Sequence, residues 1–156
     1  MGGYRECALE AASGVELIVA LYDGMIRFLR QASDAVDRQD VSARRIAVKR
    51  AFDIIIHLQA RLRMDIGGRP AQALGEFYVS TFAQILQASQ AASRPKFEHA
   101  IECVRNMRDA WKQVARDVSP EGIARAGTAT PELTGLVAGD GGAVSEDGEE
   151  SVRWLA

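Results

Sequence analysis

Two cysteines, two histidines and four prolines among 156 residues leave few of the side chains on which redox, metal or nucleophilic chemistry is built. Cys7 and Cys103 are far apart and fit no C-x-x-C or zinc-ligand spacing, so two reduced thiols are expected rather than a disulfide or a metal site. No run approaches the roughly 18 consecutive apolar residues that a membrane span requires. The opening MGGYRECALEAASG lacks a signal peptide's charged start and apolar middle, which leads to the expectation of a cytoplasmic protein. β-Branched runs are scarce too: Ile54-Ile55-Ile56 is the only one, and it lies inside a helical period. There is no Gly-x-Gly-x-x-Gly, phosphate-cradling loop or nucleophile motif. The Glu-x-x-His pairs of a di-iron bundle do not occur either. An enzyme is not expected, and no cofactor is called for.

What is present suits one soluble domain, with 47% apolar and 26% charged residues and a formal net charge of −2. That small charge conceals a division. Residues 1–118 carry 17 basic and 14 acidic side chains, whereas residues 119–156 carry 2 basic and 7 acidic. The second part is rich in Gly, Ala, Thr and acid, without a sustained apolar period, and is expected to be a disordered acidic tail. Its last residues, Val152-Arg153-Trp154-Leu155, are either a short docking motif or an unselected apolar end.

The body has the pattern of four helices. Ser13-Gly14-Val15-Glu16 has the form of a capping box, which predicts a first helix over about 14–38 after an arm of residues 1–13. Leu17, Leu21, Met25, Phe28 and Ala32 form its apolar stripe, with Leu21 facing the core and Tyr22 at the edge. Asp40 is the expected cap of a second helix running to about Met64, ended by Asp65-Ile66-Gly67-Gly68. Pro70 suits the first turn of a third helix over about 70–91, and Ser93-Arg94-Pro95 starts a fourth that stops before Pro120. Short turns between four helices predict an all-α, antiparallel four-helix bundle over residues 14–118.

The second and third predicted helices carry more apolar residues than one buried stripe needs. Val48, Phe52 and Ile56, with Ile55 at the margin, fall away from the stripe through Ala47, Ile54 and Leu58. Val79 and Leu86 likewise sit around the side from Leu74, Tyr78 and Ile85, with Phe82 between the two sets. Apolar residues nearly all round a helix require contact on a further side. Three arrangements satisfy that: a second helix packed centrally against three neighbours, self-association, or a groove that receives helical segments of a partner.

The charged residues carry no sharper signal. Arginine outnumbers lysine 16 to 3, yet acids nearly balance both, so solvated faces and ion pairs are expected rather than nucleic-acid binding. His57 follows Asp53 by one helical turn and His99 follows Glu98, as surface or salt-bridging histidines do. His57 is also the one candidate for a histidine phosphotransfer bundle, although Leu58-Gln59-Ala60 is not the Lys-Gly neighbourhood of those domains.

Several segments together resemble the FliS family, cytoplasmic chaperones for flagellin in flagellar export. They are Tyr4-Arg5, then Ala12-Ser13 with Glu16-Leu17-Ile18, and Leu21-Tyr22-Asp23-Gly24 continuing to Leu29. Arg50-Ala51-Phe52-Asp53-Ile54-Ile55 with Leu58 and Leu62, Gly67-Gly68 with Leu74, and Arg108-Asp109-Ala110-Trp111 follow in order. Gly14 stands where the family's first helix commonly starts with proline, and the chain beyond Pro120 is outside the shared pattern.

The resemblance implies a bundle that binds the C-terminal segment of flagellin, prevents its premature polymerisation and helps present it to the export gate, without ATP. It also implies an N-terminal arm that covers an apolar groove until flagellin displaces it. On this reading Val48, Phe52, Ile55 and Ile56 with Val79, Phe82 and Leu86 are the groove residues, and Tyr4 is their cover. Monomer or weak homodimer is the expected resting state, with no membrane insertion. A structural helical dimer and a phosphotransfer module using His57 are the rival readings.

Overall fold

A computed structural model describes residues 3–118 except Ile66, with the side chains of residues 4–13 and of Val118 left out of the description. The tail, with Val152 to Leu155, lies outside the described residues, as does the Tyr4 side chain. Four helices make up the described chain: α1 (Gly3–Asp37), α2 (Val41–Ala60), α3 (Gly68–Gln90) and α4 (Arg94–Val118). No strand occurs among the described residues. None of the four helices is long and apolar enough to cross a membrane.

The predicted caps of α2 and α4 have physical counterparts. The Asp40 carboxylate accepts from the Ala43 amide at 2.9 Å, so the first free amides of α2 are satisfied by a side chain. The Ser93 hydroxyl accepts from the Lys96 amide at 3.4 Å at the start of α4. Helix α2 stops at Ala60, short of Met64, because its last turn tightens: the Arg61 and Leu62 amides bond to Leu58 and Gln59 three residues back. Gly68 adopts φ +51°, but it opens α3 rather than closing α2.

The turns before α2 and α4 are Schellman motifs. Asp40 N–H donates to Ala35 and Gln39 N–H to Val36, while Ser93 N–H donates to Ala88 and Ala92 N–H to Ser89. Gln39 (φ 56°) and Ala92 (φ 46°) occupy the left-handed position where glycine is usual.

Helix α1 begins at Gly3, ten residues before the Ser13 capping box. Residues 5–12, RECALEAA, are strong helix formers, and their propensity outweighs a cap worth about 1 kcal/mol. The α1 stripe is also rotated from the predicted one. Tyr22 is fully buried with Ile18, Met25, Leu29 and Ala32, whereas Leu21 and Phe28 are half-buried and Leu17 is exposed.

The helices form a ring in sequence order, α1 packing most extensively against α4 and α2, and α3 closing the ring against both. Helix α2 therefore has two flanking neighbours, not three. That removes the central-helix explanation for its apolar surplus. The core is filled by Tyr22, Tyr78, Phe97, Met25, Leu29, Ile55 and Ile85, each at most 1% exposed.

Candidate functional site

The outer side of the α2–α3 pair is the surface on which the surplus apolar residues meet. Phe52 and Phe82 stack across the helix boundary with ring centroids 4.0 Å apart and planes 23° from parallel. Such a pair contributes roughly 0.5–1.5 kcal/mol beyond the area it buries. Both rings are half-buried, so they floor the surface rather than project from it.

Ile56 is one turn along α2 from Phe52, and Val79 and Leu86 lie three and four residues from Phe82 on α3. Those spacings place them on the same helix faces. Ile56 is 56% exposed, Val79 61% and Leu86 39%. The Phe52–Phe82 contact sets the antiparallel register, bringing Ile56 level with Val79 and Leu86 level with Val48 and Lys49.

Two of the expected groove residues are elsewhere. Val48 and Ile55 are 6% and 1% exposed and belong to the hydrophobic core, so in this conformation neither is open to a ligand. At 100° per residue Ile55 turns inward exactly where Ile56 turns out, and a helical wheel without neighbours cannot tell those sides apart. The Tyr4 side chain lies outside the described residues, and only its backbone is placed. Asp23 with Arg108 and Asp37 with Arg94 set the α1–α4 register, which puts residues before about 13 beyond the end of α4. The backbone of Tyr4 belongs to that overhang, on the helix diagonally opposite α3.

The segment Leu21-Tyr22-Asp23-Gly24 binds the bundle together. The Tyr22 hydroxyl donates to that of Tyr78 on α3 at 3.0 Å, with the Trp111 indole of α4 close by. Asp23 accepts from Arg108 of α4 at 2.9 Å. Gly24 lets α2 approach: a Cβ there would stand 3.3 Å from Cδ1 of Ile54. One turn of α1 thus touches all three other helices, joining the two segments Leu-Tyr-Asp-Gly and Arg-Asp-Ala-Trp that are far apart in sequence.

The family model described as "Flagellar protein FliS" matches residues 1–118. The chain belongs to the FliS family. It is 32% identical over 115 residues to the flagellar secretion chaperone FliS of Salmonella typhimurium, covering 73% of this chain and 85% of that one. It is 31% identical over 106 residues to the Vibrio cholerae chaperone, covering 68% and 78%. The Bacillus subtilis chaperone is 26% identical over 110 residues, covering 70% and 81%.

The match ends with α4, so the acidic tail of this FliS chain is outside the family model. Chaperones rather than enzymes make up the relatives, in line with a non-enzymatic role. His57 is exposed near the end of α2, and Asp53 pairs with Lys49 at 3.4 Å instead of with it. A concavity of about 450 Å³ lies between α1 and α4, its lining including Arg30, Asp34, Arg94, Glu98 and Arg105. Its side chains are mutually compensating charges, unlike the apolar α2–α3 face.

Proposed function

We propose that this FliS protein is a cytoplasmic secretion chaperone that receives the disordered C-terminal segment of flagellin on the α2–α3 face. The observation that carries the reading is the exposure of Ile56, Val79 and Leu86 around the Phe52–Phe82 stack in a chain whose relatives are flagellar secretion chaperones. A chaperone needs apolar surface that its own fold leaves uncovered, and an amphipathic segment laid on such a face gains its affinity from that surface. Flagellin would order as it binds, burying residues that otherwise drive filament contacts, and the complex would be handed to the export gate. No nucleotide takes part.

Tyr4 serves as the intramolecular cover in a second conformation, reached when the chain leaves α1 near Ser13-Gly14. Gly14 has open space around it and little helix propensity, which makes it the weak point of that turn. With α1 continuous from Gly3, the arm leaves the receptive face uncovered.

Calorimetric titration of the full chain with a peptide of the flagellin C-terminal segment tests the proposal. Saturable binding with a negative heat-capacity change is expected. It should be lost in Phe52→Asp while helical circular dichroism is retained. Absence of binding by the unmodified chain overturns the proposal.

A further inference from the structure

The α2–α3 face has a polarity along its length that the family relationship does not account for. Arg45 and Lys49, on the helical stripe of Phe52 and Ile56, stand at its α2 N-terminal end, and the exposed apolar pair Ile56 and Val79 at the other. Arg45 is exposed and forms no ion pair among the described residues. Lys49 is held only by the exposed Asp53, and α3 from Val79 to Gln90 has no charged residue to answer the cations. The other acid near the face, Glu76, is at the far end and hydrogen-bonds Gln72.

The same chain carries a segment of matching order. Glu146, Asp147, Glu149 and Glu150 are followed immediately by Val152, Trp154 and Leu155. We propose that this segment docks on the α2–α3 face of its own chain, the acidic run against Arg45 and Lys49 and the apolar residues on Phe52, Phe82, Ile56 and Val79.

Lengths agree with that register. Arg45 to Ile56 spans about 16 Å of helix at 1.5 Å per residue. From the middle of the acidic run to Trp154 an extended chain covers about 20 Å. The tether is also adequate. Arg45 lies roughly 35 Å along the bundle from Val118, where α4 ends. The Gly-rich composition of residues 119–145 corresponds to an average reach of about 30 Å. A tether whose average reach is close to the span it must cross gives a high effective concentration of the segment at the face. Charge fixes the direction of the segment, and the buried indole supplies most of the contact area. The docking stands whether or not the face also receives a client.

Trp154 and Trp111 are the two tryptophans, so subtracting the emission of Trp154→Phe from that of the full chain isolates Trp154. Acrylamide, an uncharged quencher, then reports its exposure. Several-fold weaker quenching is expected in the full chain than in a peptide of residues 140–156. The protection should fall toward the peptide value in Arg45→Glu/Lys49→Glu, in Val79→Asp and at high salt. These positions are exposed, and helical circular dichroism confirms that each variant folds. Quenching equal to the peptide's overturns the proposal. Protection that ignores both sets of variants places the segment elsewhere and overturns it too. Protection that grows with protein concentration shows docking on a second copy and rejects the intramolecular form.

Discussion

Tyr22 of α1 donates a hydrogen bond to the Tyr78 hydroxyl across the diagonal of the bundle, 3.0 Å away and out of contact with water. The Trp111 indole of α4 stands close to the same hydroxyl. Buried polar groups of this kind contribute little while paired and cost more when one partner is removed. Either single phenylalanine variant strands one buried hydroxyl. Tyr22→Phe and Tyr78→Phe should therefore each cost about 1–3 kcal/mol in urea unfolding. The double variant should be less destabilised than the two single losses added, because the second deletion removes a group already without its partner.

The same pair sets the alkaline limit of the fold. Burial pushes both phenols above the ordinary 10.0, that of Tyr78 to about 12 and that of Tyr22 further, with the neighbouring Tyr78 adding to the effect on Tyr22. A pKa raised in the folded state favours folding fully below the unfolded value and loses that contribution as pH rises past it. Stability in urea should be unaffected by these two groups up to about pH 9 and decline above about pH 10. Their tyrosinate absorbance should appear together with loss of helical circular dichroism. Ionisation of all tyrosines near pH 10 with the helices intact would contradict the burial assigned to them.

Two turns hold residues in a conformation that glycine adopts more easily. The left-handed region costs a side-chain-bearing residue roughly 1–2 kcal/mol, and glycine returns about 0.5–1 of that through its looser unfolded state. Both Gln39 and Ala92 are exposed, so nothing packed is lost on truncation. Gln39→Gly and Ala92→Gly should each raise the thermal midpoint, by about 0.5–1 kcal/mol in stability. An unchanged or lower midpoint would contradict the Schellman geometry.

Gly14 and Gly24 are both inside α1, yet alanine should act differently at each. At Gly14 the added methyl meets open space, and the gain in helix propensity, about 1 kcal/mol, should appear in full. At Gly24 the methyl must displace Cδ1 of Ile54, so the gain shrinks and Gly24→Leu should destabilise outright. Thermal unfolding of the three variants checks the order.

Helix number, caps and antiparallel packing were legible because they are local: Asp40, Ser93 and Pro70 act within one turn of where they stand. The burial of Tyr22 was not legible. A helical wheel ranks Tyr below Leu21, and only Tyr78 and Trp111, more than fifty residues away, make the inward position favourable. The start of α1 was misjudged because a cap signal at Ser13 competed with eight good helix formers before it. The apolar surplus of α2 was legible as a period, but its division between core and surface depends on where α1 and α3 stand.

Ile55 and Ile56 give the sharpest test of that division, since they are adjacent, identical in chemistry, and 1% and 56% exposed. A carboxylate at Ile55 would be buried without a partner, a cost that exceeds what a small bundle can absorb. Ile55→Asp should unfold the protein or leave it largely unfolded at room temperature. Ile56→Asp should shift stability by no more than about 0.5 kcal/mol, as exposed substitutions do. It should nevertheless weaken the flagellin peptide about tenfold or more, the effect of losing roughly 1.4 kcal/mol or more of apolar contact. Circular dichroism and calorimetry on the same two preparations separate fold from binding. Equal loss of fold in both variants would return Ile56 to the core, and full binding by a folded Ile56→Asp would move the receptive surface away from α2.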